Sequence, residues 1–224
     1  MAQYGKKEYW DERYTKDPDA FDWYQRYPAL KEILGDLVQV SHKILNVGCG
    51  NSRLSEDMYE DGYHSIENVD ISSIVIKGMQ EKHADKPGMA FRQMNVLDMK
   101  EFSDGQFDTV IDKGTMDSIL CGQDSTRNVQ TMLKEIFRVL KPSGQYVCVT
   151  YGQPSYRMTY LQRPELGWKV DIKTVQKQTM AVSANIQADE KDNVHYIYVC
   201  TKTAEGEHKI PMDSENSPTE EVVA

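Results

Sequence analysis

The chain has 224 residues, enough for one sizeable domain and short for two, since domains run roughly 100–200 residues each. Apolar residues make up 39% of it and the mean hydropathy is −0.63, an ordinary globular balance that excludes wholesale disorder. No apolar run approaches the ~20 residues of a bilayer crossing, and the formal charge of −9 argues against direct nucleic-acid binding, which needs a basic surface.

The first forty residues stand apart. Tyr4, Tyr9, Trp10, Tyr14, Phe21, Trp23, Tyr24 and Tyr27 place eight of the chain's aromatic side chains in its first 27 positions, so this segment must lie on something, either a helical layer or a ligand. It lacks the apolar stretch of a secretory signal, which makes a cytoplasmic (or nuclear) location the expectation.

The run Ile44-Leu45-Asn46-Val47 reads as a buried strand that enters the turn Gly48-Cys49-Gly50-Asn51-Ser52. Asn51 or Ser52 can cap the next helix, and Gly62 supplies its stop. A second strand covers 66–70, Ser72 or Ser73 caps a helix carrying Val75 and Met79, a third strand covers about 89–96 and a fourth 107–112. Val129, Met132, Leu133, Ile136, Phe137 and Leu140 then form an uninterrupted helical stripe. Lys141-Pro142-Ser143-Gly144 is expected to end it before a fifth strand, 145–150.

Two further β-rich stretches, 168–175 and 195–202, have no helical pattern between them. Strands alternating with helices imply an α/β fold with a mostly parallel sheet covered on both faces, here seven strands, the last two an antiparallel hairpin at one edge. Cys49, Cys121, Cys148 and Cys200 fit neither a disulfide framework nor a CxxC-type metal site, so reduced thiols are expected. Residues 204–224 hold six acids and one lysine, half of the net charge and more, and are expected to be a disordered tail behind a single domain spanning 1–203.

In an open α/β sheet, ligands bind beyond the carboxyl ends of the strands. The Gly48-Cys49-Gly50 turn lets a ligand approach the backbone, and Asp70, twenty residues after Gly50, can accept both hydroxyls of a ribose. A dinucleotide fingerprint wants a third small residue where this chain has Arg53. A nucleoside without phosphates fits better, which points to S-adenosylmethionine. Each residue also has an ordinary structural alternative: Asp70 as a strand-end cap, Trp10 and Trp23 as pins for the N-terminal segment, Lys113 as a solvated strand-end lysine, and Asp112 and Asp117 as caps of a short helix.

The runs Asn46 to Ser52, Asp70-Ile71-Ser72, Phe107 to Asp117 and Val139 to Gly144 resemble successive motifs of the Rossmann-like class I methyltransferases. More narrowly, Glu8 to Tyr14, Asp22-Trp23-Tyr24, the Gly-Cys-Gly-Asn-Ser turn and Asp112-Lys113-Gly114-Thr115-Met116-Asp117 resemble the methyltransferase-like group that modifies translation elongation factor 1-alpha on lysine. The resemblance covers roughly residues 4–202.

It implies that Trp10, Tyr14 and Trp23, in a cofactor-covering segment of about 4–40, close over S-adenosylmethionine. Gly48 would contact its methionine part, Asp70 its ribose, and Asn95 and Val96 its adenine, with Gly50 and Ile71 also among the cofactor-binding residues. Lys113 would lie beside it, and S-adenosylhomocysteine would be the product. Asn95 stands where relatives often carry Asp, and Asp98 is the alternative contact. A lysine amine, with a reference pKa of ~10.4, must shed a proton before methyl transfer. Asp112, Asp117, Tyr151 and Tyr156 are the candidates to help.

Three functions compete: a protein-lysine methyltransferase with elongation factor 1-alpha as partner, a small-molecule methyltransferase in which 151–167 forms a lid, and an inactive cofactor-binding scaffold. A monomer is the expected state.

Overall fold

A computed structural model describes residues 3–177 and 193–203. The chain begins with two helices, α1 (Lys7–Lys16) and α2 (Tyr27–Leu37). In α1 the ion pairs Lys7–Asp11 and Lys16–Glu12, both four residues apart, brace a helix whose one apolar feature is the stacked pair Trp10 and Tyr14. Pro28 sits in the first turn of α2, where its missing N–H is harmless.

There follow β1 (Ile44–Val47), α3 (Leu54–Glu60), β2 (Ile66–Asp70), α4 (Ser73–Lys82), β3 (Met89–Gln93), β4 (Phe107–Lys113), α5 (Thr115–Leu120) and α6 (Ser125–Val139). The chain continues with β5 (Leu140–Thr150), α7 (Pro154–Leu161), β6 (Trp168–Gln176) and β7 (Val194–Lys202). The seven strands form one sheet in the order β3-β2-β1-β4-β5-β7-β6, with the first five parallel. β7 is antiparallel to both β5 and β6, so the last-formed strand lies inside the sheet and β6 is the edge.

Alternation along the strands divides the core in two. Leu45, Val47, Val110, Tyr146, Cys148, Tyr198 and Cys200 face one layer, built from the α6 stripe with Met116 and Leu161. Ile44, Ile111, Val147, Val149, Ile197 and Val199 face the other, where Leu30, Leu34, Leu54, Met58, Val75 and Met79 pack. The helices therefore cover both faces, and the expected α/β architecture holds.

Several boundaries differ from the sequence expectation. β3 ends at Gln93, leaving Asn95 and Val96 in the following turn. β5 begins at Leu140, because Phe107 pairs with Leu140 before the register shifts ahead of Thr109. Ser143, at φ 62, makes the irregularity that reads in sequence as a turn. Residues 154–161 form α7 where the sequence suggested a loop or lid. Ser72 caps α4 as expected, its hydroxyl accepting the Val75 N–H. The acidic segment 204–224 lies outside the described residues. No helix among the described residues is long and apolar enough to cross a membrane.

Candidate active site

The strand order turns at β1, which lies between β2 and β4, and the carboxyl ends of β1 to β4 surround a cavity of about 260 Å³. Gly48 and Gly50 stand at its base with φ of 61° and 51°. A Cβ on Gly48 would lie 2.0 Å from Thr115 Oγ1, and one on Gly50 would lie 2.6 Å from Tyr14 Oη. The glycines thus let the start of α5 and the side of α1 close in on the turn, a packing demand the sequence did not reveal. Thr115 Oγ1 donates to Val47 O at 2.8 Å and fixes that approach. Cys49 is buried, and burial pushes its thiol well above the usual range, so it packs as a neutral group.

Asp70 ends β2 inside the cavity wall. Its two oxygens accept the Gly50 N–H and the Ser72 N–H, each at 2.9 Å. Burial raises its pKa to about 6 despite these bonds. Ile71, Met94, Val96 and Leu97 supply apolar wall beside it, and Asn95 joins them with its Oδ1 accepting the Leu97 N–H at 3.0 Å. Asp98 does not line the cavity and pairs with Lys100 at 3.2 Å.

On the opposite side lie Lys113, Gly114 and Thr115. Lys113 is buried, its Nζ 3.1 Å from the Asp22 carboxylate and donating to Trp23 O at 3.1 Å. Desolvation lowers its pKa while Asp22 opposes the shift. Trp10, Tyr14 and Trp23 line the cavity together with Tyr4, Arg13 and Phe21, so residues 4–23 supply one of its walls, while α2 does not reach it.

The four residues put forward for proton handling, Asp112, Asp117, Tyr151 and Tyr156, do not line this cavity. Asp112 is fully buried and caps α5, accepting the Thr115 N–H at 2.7 Å, the Met116 N–H at 3.1 Å and the Tyr146 hydroxyl at 2.9 Å; burial lifts its pKa to about 6. Asp117 is a buried hub. It accepts the Tyr24 hydroxyl at 2.6 Å and the Thr150 hydroxyl at 2.7 Å, and pairs with Arg157 Nη2 at 2.5 Å.

Tyr151 is exposed, under the Arg157 guanidinium and 6.0 Å centroid to centroid from Tyr24. With Tyr156, Tyr160, Arg157 and Leu120 it lines a second, more open cavity. α5 divides the two cavities, giving Ser118 and Ile119 to the first and Leu120 to the second. Arg157 and Thr150 escaped the sequence reading, and Asp22 entered it only as part of a motif, without a role. Arg157 lies on the unforeseen helix.

The donor set fits a nucleoside with a charged amino-acid arm. Asp70 retains lone pairs for hydroxyls, Met94 and Val96 form an apolar slot for a base, and the rings of Trp10, Tyr14 and Trp23 offer faces to a cation.

A family profile described as a methyltransferase domain matches residues 39–204. The chain belongs to this methyltransferase-domain family. The eEF1A lysine and N-terminal methyltransferase of Mus musculus is 39% identical over 155 residues, 67% of this chain and 22% of that protein. This chain therefore spans about a fifth of that relative's length. The EEF1A lysine methyltransferase 4 of Bos taurus is 30% identical over 177 residues, 75% of this chain and 69% of that one. A solved S-adenosylmethionine-dependent methyltransferase from Methanosarcina mazei agrees in fold, with a TM-score of 0.56 at 21% identity over 82% of this chain and 99% of its own.

Proposed function

We propose that the protein methylates a lysine amine of a protein substrate, elongation factor 1-alpha by kinship with the relatives named for that activity. The observation that carries the protein-substrate reading is α7. It leaves the donor cavity and walls the second, open cavity with Tyr151, Tyr156 and Tyr160, so residues 151–167 do not form the lid that a small-molecule site would use.

S-adenosylmethionine supplies an electrophilic methyl group on a sulfonium. Asp70, the glycine turn and the apolar slot hold the nucleoside end, while the aromatic cover excludes water. Asp112 and Asp117 have their oxygens committed to a helix cap and an ion pair, which leaves Tyr151 and Tyr156 as the groups to relay the proton of the incoming amine to solvent. Partial desolvation of that amine against the tyrosine rings and the aromatic cover favours its neutral form. The catalytic unit is residues 1–203, acting as a cytoplasmic monomer, with 204–224 as an appendage without a part in donor binding.

Incubation with labelled methyl donor and both a cell extract and purified elongation factor 1-alpha tests this. Label in the purified factor, mapped to lysine, supports the proposal. Label confined to small molecules, or donor binding without transfer, sinks it.

A further inference from the structure

The cover meets the rest of the molecule through a short stitch, residues 22–25, whose bonds reach both walls of the donor cavity. The Asp22 side chain is only 6% exposed and does not line the cavity, although both its partners do. Its Oδ1 holds Lys113 Nζ at the end of β4 and also accepts the hydroxyl of Ser52, which follows the glycine turn after β1. One carboxylate therefore spans the opening between the two strands where the donor lies. Asn51 Nδ2 adds a bond to Asp19 O at 2.5 Å, from the same side as Ser52.

The next residues continue the seam. Trp23 O takes the second Lys113 bond, and the Trp23 side chain stands 3.7 Å from where a Gly114 Cβ would be. Tyr24, at φ 64, is bent into the left-handed region and its hydroxyl reaches Asp117. A tyrosine adopts that backbone only when its surroundings over-determine it. Gln25 closes the seam, its Nε2 donating to Gln176 O at 2.6 Å.

We propose that Asp22 is a positioning residue for the methyl donor: by holding Lys113 and Ser52 together it locks the aromatic cover shut, so the rate at which donor and product leave the cavity is set by a carboxylate that does not touch them. The physical ground is the cost of separating a buried pair. Opening the cover takes Lys113 and Asp22 apart in a dry setting, where an uncompensated charge is strongly disfavoured, so the pair resists opening more than an exposed one would. The inference rests on the donor occupying the first cavity.

The test is release of S-adenosylhomocysteine from the full chain, followed by stopped-flow tryptophan fluorescence, with calorimetric affinity and steady-state kinetics alongside. Asp22→Asn is expected to speed release about tenfold or more. The loss should fall on the KM for donor rather than on kcat, whereas a merely structural role would lower the active fraction and kcat at constant KM.

Tyr24→Phe cuts the same seam at Asp117 without stranding a charge, so it decides the matter if Asp22→Asn does not fold; faster release supports the latch and a wild-type rate overturns it. Wild-type release from Asp22→Asn overturns it likewise. Asp70→Ala separates the two levels of the argument. If it binds S-adenosylhomocysteine normally, the cavity assignment falls and takes the latch with it; if it loses binding while Asp22→Asn and Tyr24→Phe do not, the latch alone is wrong.

Discussion

The Asp70 carboxylate accepts the Gly50 N–H at 2.9 Å, joining two sites twenty residues apart in sequence. The bond makes the glycine turn and the acid one unit: the turn aims the amide, and the carboxylate fixes the turn. Its second oxygen does the same for Ser72 at the entry to α4.

Asp70→Ala should weaken binding of S-adenosylhomocysteine by on the order of 1–3 kcal/mol, read by calorimetry. Because burial raises the folded pKa of Asp70 to about 6, and hydroxyl donors favour the ionised form, affinity should fall as pH drops from 7 to 5. Binding near pH 6 should release protons, and both effects should vanish in the variant.

Asp112 gives a stability signature of opposite bookkeeping from a paired surface acid. Its folded pKa, raised from 3.8 to about 6 by burial, means that the native state keeps a proton the unfolded chain has lost. Stability contributed by this group is present below pH 4 and is lost as pH rises toward 6. Asp112→Asn abolishes that titration, so the difference in unfolding free energy should move in the variant's favour between pH 4 and 6, by on the order of 1–3 kcal/mol. Urea unfolding across that range measures it; a pH-independent difference refutes it.

Two glycines should respond oppositely to alanine. At Gly48 a methyl group would strike Thr115 and occupy φ 61, so Gly48→Ala should cost about 2–4 kcal/mol and break the Thr115 bond to Val47. Gly35 is exposed within α2 with nothing within 4 Å of its added Cβ, and Gly35→Ala should stabilise by about 0.5–1 kcal/mol. Thermal melts of the two variants compare them directly.

Arg157→Met should destabilise by about 3–5 kcal/mol, since Asp117 would remain buried without its cation. Adding Asp117→Asn should recover much of that loss, since it removes the stranded charge and keeps one acceptor oxygen, although it exchanges the other for an amide. A double variant no more stable than Arg157→Met would show that the Tyr24 and Thr150 bonds, rather than charge compensation, hold this hub.

The strands β1, β2 and β4 and helix α6 were legible because apolar period, caps and glycine stops agreed there. α7 was not, since its buried positions are one leucine and an arginine, a pattern without an apolar stripe. In the site, Gly48, Gly50, Asp70, Ile71, Asn95, Val96, Lys113, Trp10, Tyr14 and Trp23 come together around one cavity. Asp112, Asp117 and Tyr151 lie outside it. Sequence puts an acid beside a strand end but cannot show whether its oxygens are already taken, and for both aspartates the partners come from distant elements such as Tyr146 and Arg157.

The bond between Gln25 and His195 at 3.1 Å joins residues 170 positions apart. During synthesis the cover emerges well before the strand it leans on, and until β7 inserts beside β5 the sheet ends in an open, hydrogen-bond-hungry flank. The nascent chain can build the nucleoside slot from β1 to β4 early, yet it cannot seat the cover fully before translation has passed residue 195. A protein assembled in that order cannot complete the contact between residues 25 and 195 until the β5–β7 join is made.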